Sequence, residues 1–154
     1  FDQGSASGLG KIRFHDYAAA FEAYPLPNVA RFQEQVAVLR ELLATATPDE
    51  AQRKDLDFLM TLGEMFTLVV YAQLVAENAK IYGVEDDLVD QIFDCFVRDF
   101  AKFAQQLHAK PSSTEAQMAC CLRLIRKPVF DQRRYEHIWK DHVHALKGAY
   151  EMSP

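Results

Sequence analysis

The sequence predicts an all-α fold, an antiparallel up-and-down bundle of four to six helices, from three observations. Apolar residues recur at alternating three- and four-residue steps in successive segments. Helix start and stop signals bracket those segments. No segment of the 154 residues sustains the period-two alternation of a half-buried strand.

Taken in order, residues 1–27 read as an N-terminal linker with one helix-compatible stretch. Its first ten residues are rich in Gly and Ser, Lys11 to Tyr24 fits a helix, and Pro25 and Pro27 end it. The bundle domain is expected over 28–148, with 149–154 as a C-terminal tail. Val29, Phe32, Val36, Leu39 and Leu43 form one apolar stripe on a helix from Asn28 to about Ala46.

Thr47-Pro48-Asp49-Glu50 has the form of a capping box with Pro at the first helical position. It predicts a helix that runs on to Tyr82, where Gly83 supplies the stop. Asp57, Thr61 and Glu64 line a polar strip that becomes apolar at Leu68, Tyr71 and Val75, which predicts the central helix of the bundle. Gly63 inside that helix suggests a close approach by another helix, with Glu64 solvated or Arg-paired at its rim.

From Glu85 to His108, Val89, Phe93, Phe96, Phe100, Phe103 and Leu107 form a buried ridge, with Asp94 and Arg98 spaced for an outward i,i+4 pair. Ser112-Ser113-Thr114-Glu115 offers a second capping box for a shorter helix to about Lys127, stopped by Pro128. A last helix is expected from Asp131 to Lys147, ended by Gly148.

The totals exclude several classes of function. Hydrophobic residues make up 49%, with 11 Phe and 6 Tyr, which excludes intrinsic disorder. A formal net charge of −5 argues against a general nucleic-acid binder, which needs a basic face. Three cysteines, Cys95, Cys120 and Cys121, form no C-x-x-C pair, so neither a disulfide framework nor a zinc site is expected, and a reducing cytoplasm is. DFLMTLGEMFTLVVYAQL, Asp57 to Leu74, is long enough for a membrane span, but Asp57, Glu64 and Gln73 interrupt it and no aromatic belt or basic flank brackets it. No membrane span is expected. The opening FDQGSASGLG shows no signal peptide and lacks an initiator Met, so the chain reads as a fragment, or a processed or engineered piece.

Candidate chemistry is sparse. A di-metal bundle site needs Glu-x-x-His pairs on facing helices, and neither Glu64 nor Glu77 is followed by such a His. Near the C-terminus, about 100° per residue puts Tyr135, Ile138, Trp139, His142 and Leu146 on one face and His137, Asp141 and His144 opposite. This predicts a core or interface His142, a solvated polar face, and no metal site. Cys120 and Cys121 lie mid-helix without a glycine turn, and Cys95 is expected near the Phe ridge as a small hydrophobe. In the basic run RLIRKPVFDQRR, Arg123 and Arg126 suit a helix C-terminus. Lys127, Arg133 and Arg134 are the candidates for an acidic partner surface or an anion.

Three stretches carry a resemblance: DLDFLMTLGEMFTLVVYAQLVAENA, LVDQIFDCFVRDFAKFAQQLHAKPSSTEAQ and IRKPVFDQRRYEHIWKDHVHALKGAYEMSP. Together they cover about two-thirds of the chain, and it resembles there the extra C-terminal helical region of long bacterial acyl-CoA dehydrogenases. The resemblance implies a parent enzyme that uses FAD to form an α,β double bond in acyl-CoA thioesters, assembled as a dimer or tetramer. It also implies that this chain is an accessory helical domain, acting in assembly or active-site closure, whose partners are the rest of that enzyme or its other subunits. The family's Tyr-Glu-Gly-Thr motif is not matched, because Tyr150-Glu151 is followed by Met152-Ser153, so the base role does not transfer to Glu151. No flavin-contacting motif is found, and no FAD is expected in this segment. The alternative is a free-standing helical interaction or scaffold module without catalysis.

Overall fold

A computed structural model describes residues 16–149. Among them there is no strand, and six α-helices form a helical bundle: α1 (Tyr17–Glu22), α2 (Pro27–Thr45), α3 (Leu56–Tyr82), α4 (Asp86–His108), α5 (Glu115–Leu124) and α6 (Gln132–Ile138). The expected helical residues 11–15 and the tail from residue 150 lie outside the described residues. The bundle begins before residue 28, because α1 contributes Phe21, 1% exposed, to the core.

The centre of the bundle is α4, not α3 as the sequence suggests. α4 packs against α2, α3, α5 and α6, and α2 also packs against α5, while α2 and α3 make at most a marginal contact and share α1 as a neighbour. The reason is composition. The α4 ridge carries Phe93, Phe96 and Phe100, whose large rings fill the space between layers. Phe32 from α2 sits among them, with ring centroids 5.6 Å from Phe93, 5.5 Å from Phe100 and 5.7 Å from Phe21, in edge-to-face arrangements. The expected ridge is buried along Val89, Phe93, Phe96, Phe100 and Leu107, with Phe103 half-buried at its edge.

Three boundaries move for identifiable reasons. Thr47-x-x-Glu50 does not cap α3. Asp49 and Gln52 take the capping-box role two residues later, Gln52 N–H donating to Asp49 Oδ1 at 2.8 Å and Asp49 N–H to Gln52 Oε1 at 3.1 Å. Only the short turn Gln52–Lys54 is formed there; Asp55 is extended and caps α3 by accepting from Phe58 N–H at 3.2 Å. The cap of α5 is Thr114 with Gln117, not Ser112 with Glu115. α5 stops at Leu124, short of Pro128, and the Gln35 side chain donates to the Leu124 carbonyl at 2.8 Å, satisfying a helix-end acceptor from inside the core. Gly83 ends α3 in the left-handed conformation, φ +63°, as expected.

Two smaller corrections concern orientation. The α2 stripe ends on Leu42, fully buried, while Leu43 is 41% exposed. Cys95 faces outward beside the Arg98 guanidinium at 3.5 Å, because Phe96 and Val97 take the inward positions.

Candidate functional site

On a soluble helix the positions opposite the core are ordinarily polar. α3 breaks this pattern. Its inward face is Phe58, Thr61, Met65, Leu68, Val69, Ala72, Ala76 and Ala79. At about 100° per residue, the opposite face is centred on Leu56, Met60, Gly63, Leu74 and Ile81. Leu56 is 71% exposed, Met60 59% and Ile81 74%, with Phe66 and Tyr71 on the flanks and Tyr82 at the end also exposed. Thr67 and Asn78 are the polar members of this outward side, so α3 is a surface helix whose outer face is largely apolar and uncovered. By length and composition it also meets the requirement of a membrane span.

Gly63 lies on the outward face, and a Cβ there would meet nothing within 4 Å. Among the described residues no other helix comes into close contact there, which overturns the expected close crossing. Glu64 is exposed and borders two shallow depressions, one shared with Tyr71, Asp99 and Phe103 and one with Gln106 and Lys110. Between α2 and α3 runs a groove of about 570 Å³, lined mainly by Val36, Leu39, Leu43, Phe66, Val69 and Val70, with Arg40, Gln73 and the start of α1 also at its wall. Phe66 belongs both to the exposed flank of α3 and to the lining of this groove.

The basic candidates separate. Arg134 is 3% exposed and pairs with Asp90, itself 3% exposed, while donating to the Val129 carbonyl at 2.8 Å and to Gln91 Oε1 at 3.3 Å. Asn28 completes the junction: its backbone N–H donates to Asp90 Oδ1 at 2.7 Å, and Val129 N–H donates to its side-chain oxygen at 2.7 Å. Burial pushes the Asp90 carboxyl above its ordinary range, while the Asn28 donors and the Arg134 charge pull it back. Arg134 thus pins α6 to α2 and α4, and its charge is not presented to an outside anion. Arg133 is exposed, with Asp87 at 3.8 Å, and Lys127 is exposed. Arg123 makes a two-pronged contact with Glu41 at 2.5 and 2.8 Å, and its donation holds the Glu41 carboxyl below its ordinary range.

The C-terminal faces differ most from expectation. After α6 the chain makes a π-turn, Trp139–Val143, closed by His144 N–H donating to the Trp139 carbonyl. The extra residue widens the turn, and His142, within it, lies beside His137 at the start of α4 and does not enter the core. His137 Nδ1 lies 2.9 Å from Asp87, and its Nε2 lies 3.3 Å from Asp141 and 3.6 Å from Glu85; His142 Nε2 contacts the same Glu85 carboxylate. The Asp87 hydrogen bond, then the charges of Glu85 and Asp141, raise the His137 pKa above its ordinary 6.5. Of the expected apolar face only Ile138 is buried; Tyr135 and Trp139 stack on each other at the surface, 6.5 Å between centroids.

Nucleophilic or metal chemistry finds little support here. Cys120 and Cys121 are buried, and burial, then the neighbouring Cys120, pushes the Cys121 thiol up to about 11, where it is a poor nucleophile. Among the described residues no group of three or more His, Cys, Asp or Glu is arranged to hold a metal ion. Comparison with known proteins returns no family model, no curated protein and no solved structure that matches the chain.

Proposed function

We propose that this chain is an accessory helical domain that docks through the outer face of α3 onto the catalytic body of an acyl-CoA dehydrogenase-like flavoenzyme. The observation that carries the docking is the uncovered apolar face from Leu56 to Ile81, an area that a stable soluble assembly covers. The partner's identity rests on the resemblance of the three stretches DLDFLMTLGEMFTLVVYAQLVAENA, LVDQIFDCFVRDFAKFAQQLHAKPSSTEAQ and IRKPVFDQRRYEHIWKDHVHALKGAYEMSP, the first of which contains most of this face. In this reading FAD and the acyl-CoA thioester are held by the partner body, in the cytoplasm, and the domain serves assembly or closure. The second reading, a free-standing interaction or scaffold module, is favoured by the core around Phe32, which closes within the described helices.

The deciding experiment begins with the open reading frame around Phe1. A flavoenzyme body encoded in the same frame is expected. In that full-length protein, Met60→Glu with Leu74→Glu should lower the flavin-loaded assembled fraction, measured by light scattering and flavin absorbance. A frame without such a body, with the isolated chain self-associating through the same two positions, selects the scaffold reading. Sedimentation of the isolated chain with lipid vesicles, abolished by the same pair, would mean that the face meets lipid and would overturn both.

A further inference from the structure

Residues 139–146 contribute no buried side chain. Their His142 nevertheless reaches Glu85 at the start of α4, where Asp86 and Asp87 also lie. The tie of this turn to α4 is His142 against Glu85, and His137, at the end of α6, holds the turn through Asp141. Both ring nitrogens of His137 face carboxylate oxygens, Nδ1 toward Asp87 and Nε2 toward Asp141 and Glu85. A neutral imidazole has one N–H, so one nitrogen would then turn a lone pair toward a carboxylate. The arrangement is favourable only for the imidazolium. His142 shares Glu85, its ring centroid 6.3 Å from that of His137, so Glu85 ties both histidines to α4.

We propose that residues 139–146 are a histidine latch on the α4 N-terminus, closed while His137 is protonated and released when it is neutral. α6 packs against α4 and its own continuation, which defines the groups that act on the latch. From α4 these are Glu85, Asp86 and Asp87, with Tyr24 in the field of Asp86. From α6 and the turn they are Arg133, Lys140, Asp141 and His144, of which Arg133 shares Asp87 and moderates its charge. The carboxylates outnumber the fixed cations, so a protonated His137 is favoured in the closed form. Its folded-state pKa lies above the ordinary value, so the stabilisation is complete below pH 6.5 and is lost as the pH rises through the folded value. Release leaves Glu85, Asp86 and Asp87 as an open anionic cluster at the helix start. Arg134 with Asp90 keeps α6 itself in place.

Amide hydrogen exchange on the whole chain at about pH 5.5 and about pH 8, corrected for intrinsic rates, tests the latch across the range where histidine titrates. Protection of amides 139–146 should fall about tenfold or more at the higher pH, while amides 93–100 of α4 keep theirs. His137→Gln and Glu85→Gln should each show the unprotected turn at both pH values, and His144→Gln should behave as the parent. Equal protection at both pH values would overturn the proposal. So would a pH response that survives in His137→Gln, or one that extends to the core of α4, which would mean that the bundle opens as a whole.

Discussion

Gln52 and Gln117 exchange reciprocal amide hydrogen bonds, 2.9 Å from Gln52 Nε2 to Gln117 Oε1 and 3.0 Å in return, with both side chains 1% exposed. Each amide also makes two further hydrogen bonds. Gln52 Nε2 donates to the Ser112 carbonyl and its Oε1 accepts from Asp49 N–H, while Gln117 Nε2 donates to the Ala46 carbonyl and its Oε1 accepts from Thr114 N–H. The loop after α2, the turn before α3 and the start of α5 are thus fixed by one pair.

Gln117→Leu should therefore destabilise the bundle by about 2–4 kcal/mol. It empties one side of the pair, leaving the Gln52 amide and the Ala46 carbonyl buried without that partner. Denaturant midpoints at constant slope would measure it, and a shift under about 0.5 kcal/mol would show that water replaces the amide.

Arg134→Met should cost about 3–5 kcal/mol, because it leaves Asp90 buried without its cation. Lys127→Ala and Arg133→Ala should stay within about 0.5 kcal/mol. If all three behaved alike in urea, the junction of Asn28, Asp90 and Arg134 would not be the anchor of α6.

Asp55→Ala should cost about 1 kcal/mol through the lost cap of α3, and Thr47→Ala should be near neutral. Thermal unfolding of the two single variants distinguishes them. The reverse order would restore Thr47 as the helix start.

Gly63→Ala should stabilise the isolated chain by about 0.5–1 kcal/mol, since the added Cβ meets open space and helix propensity improves. Glu64→Gln should change stability by less than about 0.5 kcal/mol. Gly63→Leu should be tolerated by the fold but should weaken docking through α3 in the assembled protein. Loss of stability in Gly63→Ala would reveal a contact that the open surface does not show.

Helix existence was legible because periodicity is a local property: the Phe ridge of α4 and the stop at Gly83 depend on neighbours within two turns. Boundaries were less so where a tertiary partner decides them. Nothing near Leu124 in the chain announces that Gln35, 89 positions away, will take its carbonyl. The same holds for Arg134, whose basic surroundings suggest an exposed charge until Asp90 is brought beside it. α3 was misplaced as the central helix because an all-round apolar sequence does not say whether its second face is covered by its own bundle or by something else. That ambiguity is also why the candidate surface went unrecognised. Its signal, outward-facing Met60, Leu74 and Ile81, is visible only once α4 has defined which side is inward. His142 was assigned to the core or an interface by assuming one helical phase through to Leu146, an assumption the π-turn breaks.

That π-turn makes the C-terminal segment tolerant of length change in one direction only. It already holds one residue more than an α-turn requires, so removing a residue within 139–141 lets the helix close into ordinary geometry and keep its backbone hydrogen bonds. Everything beyond the deletion would then turn by about 100° and draw back by about 1.5 Å. His142 would leave Glu85 while Ile138 and Arg134 kept their places. A lineage that lost one codon there would retain the bundle and lose the second tie to α4 in a single step.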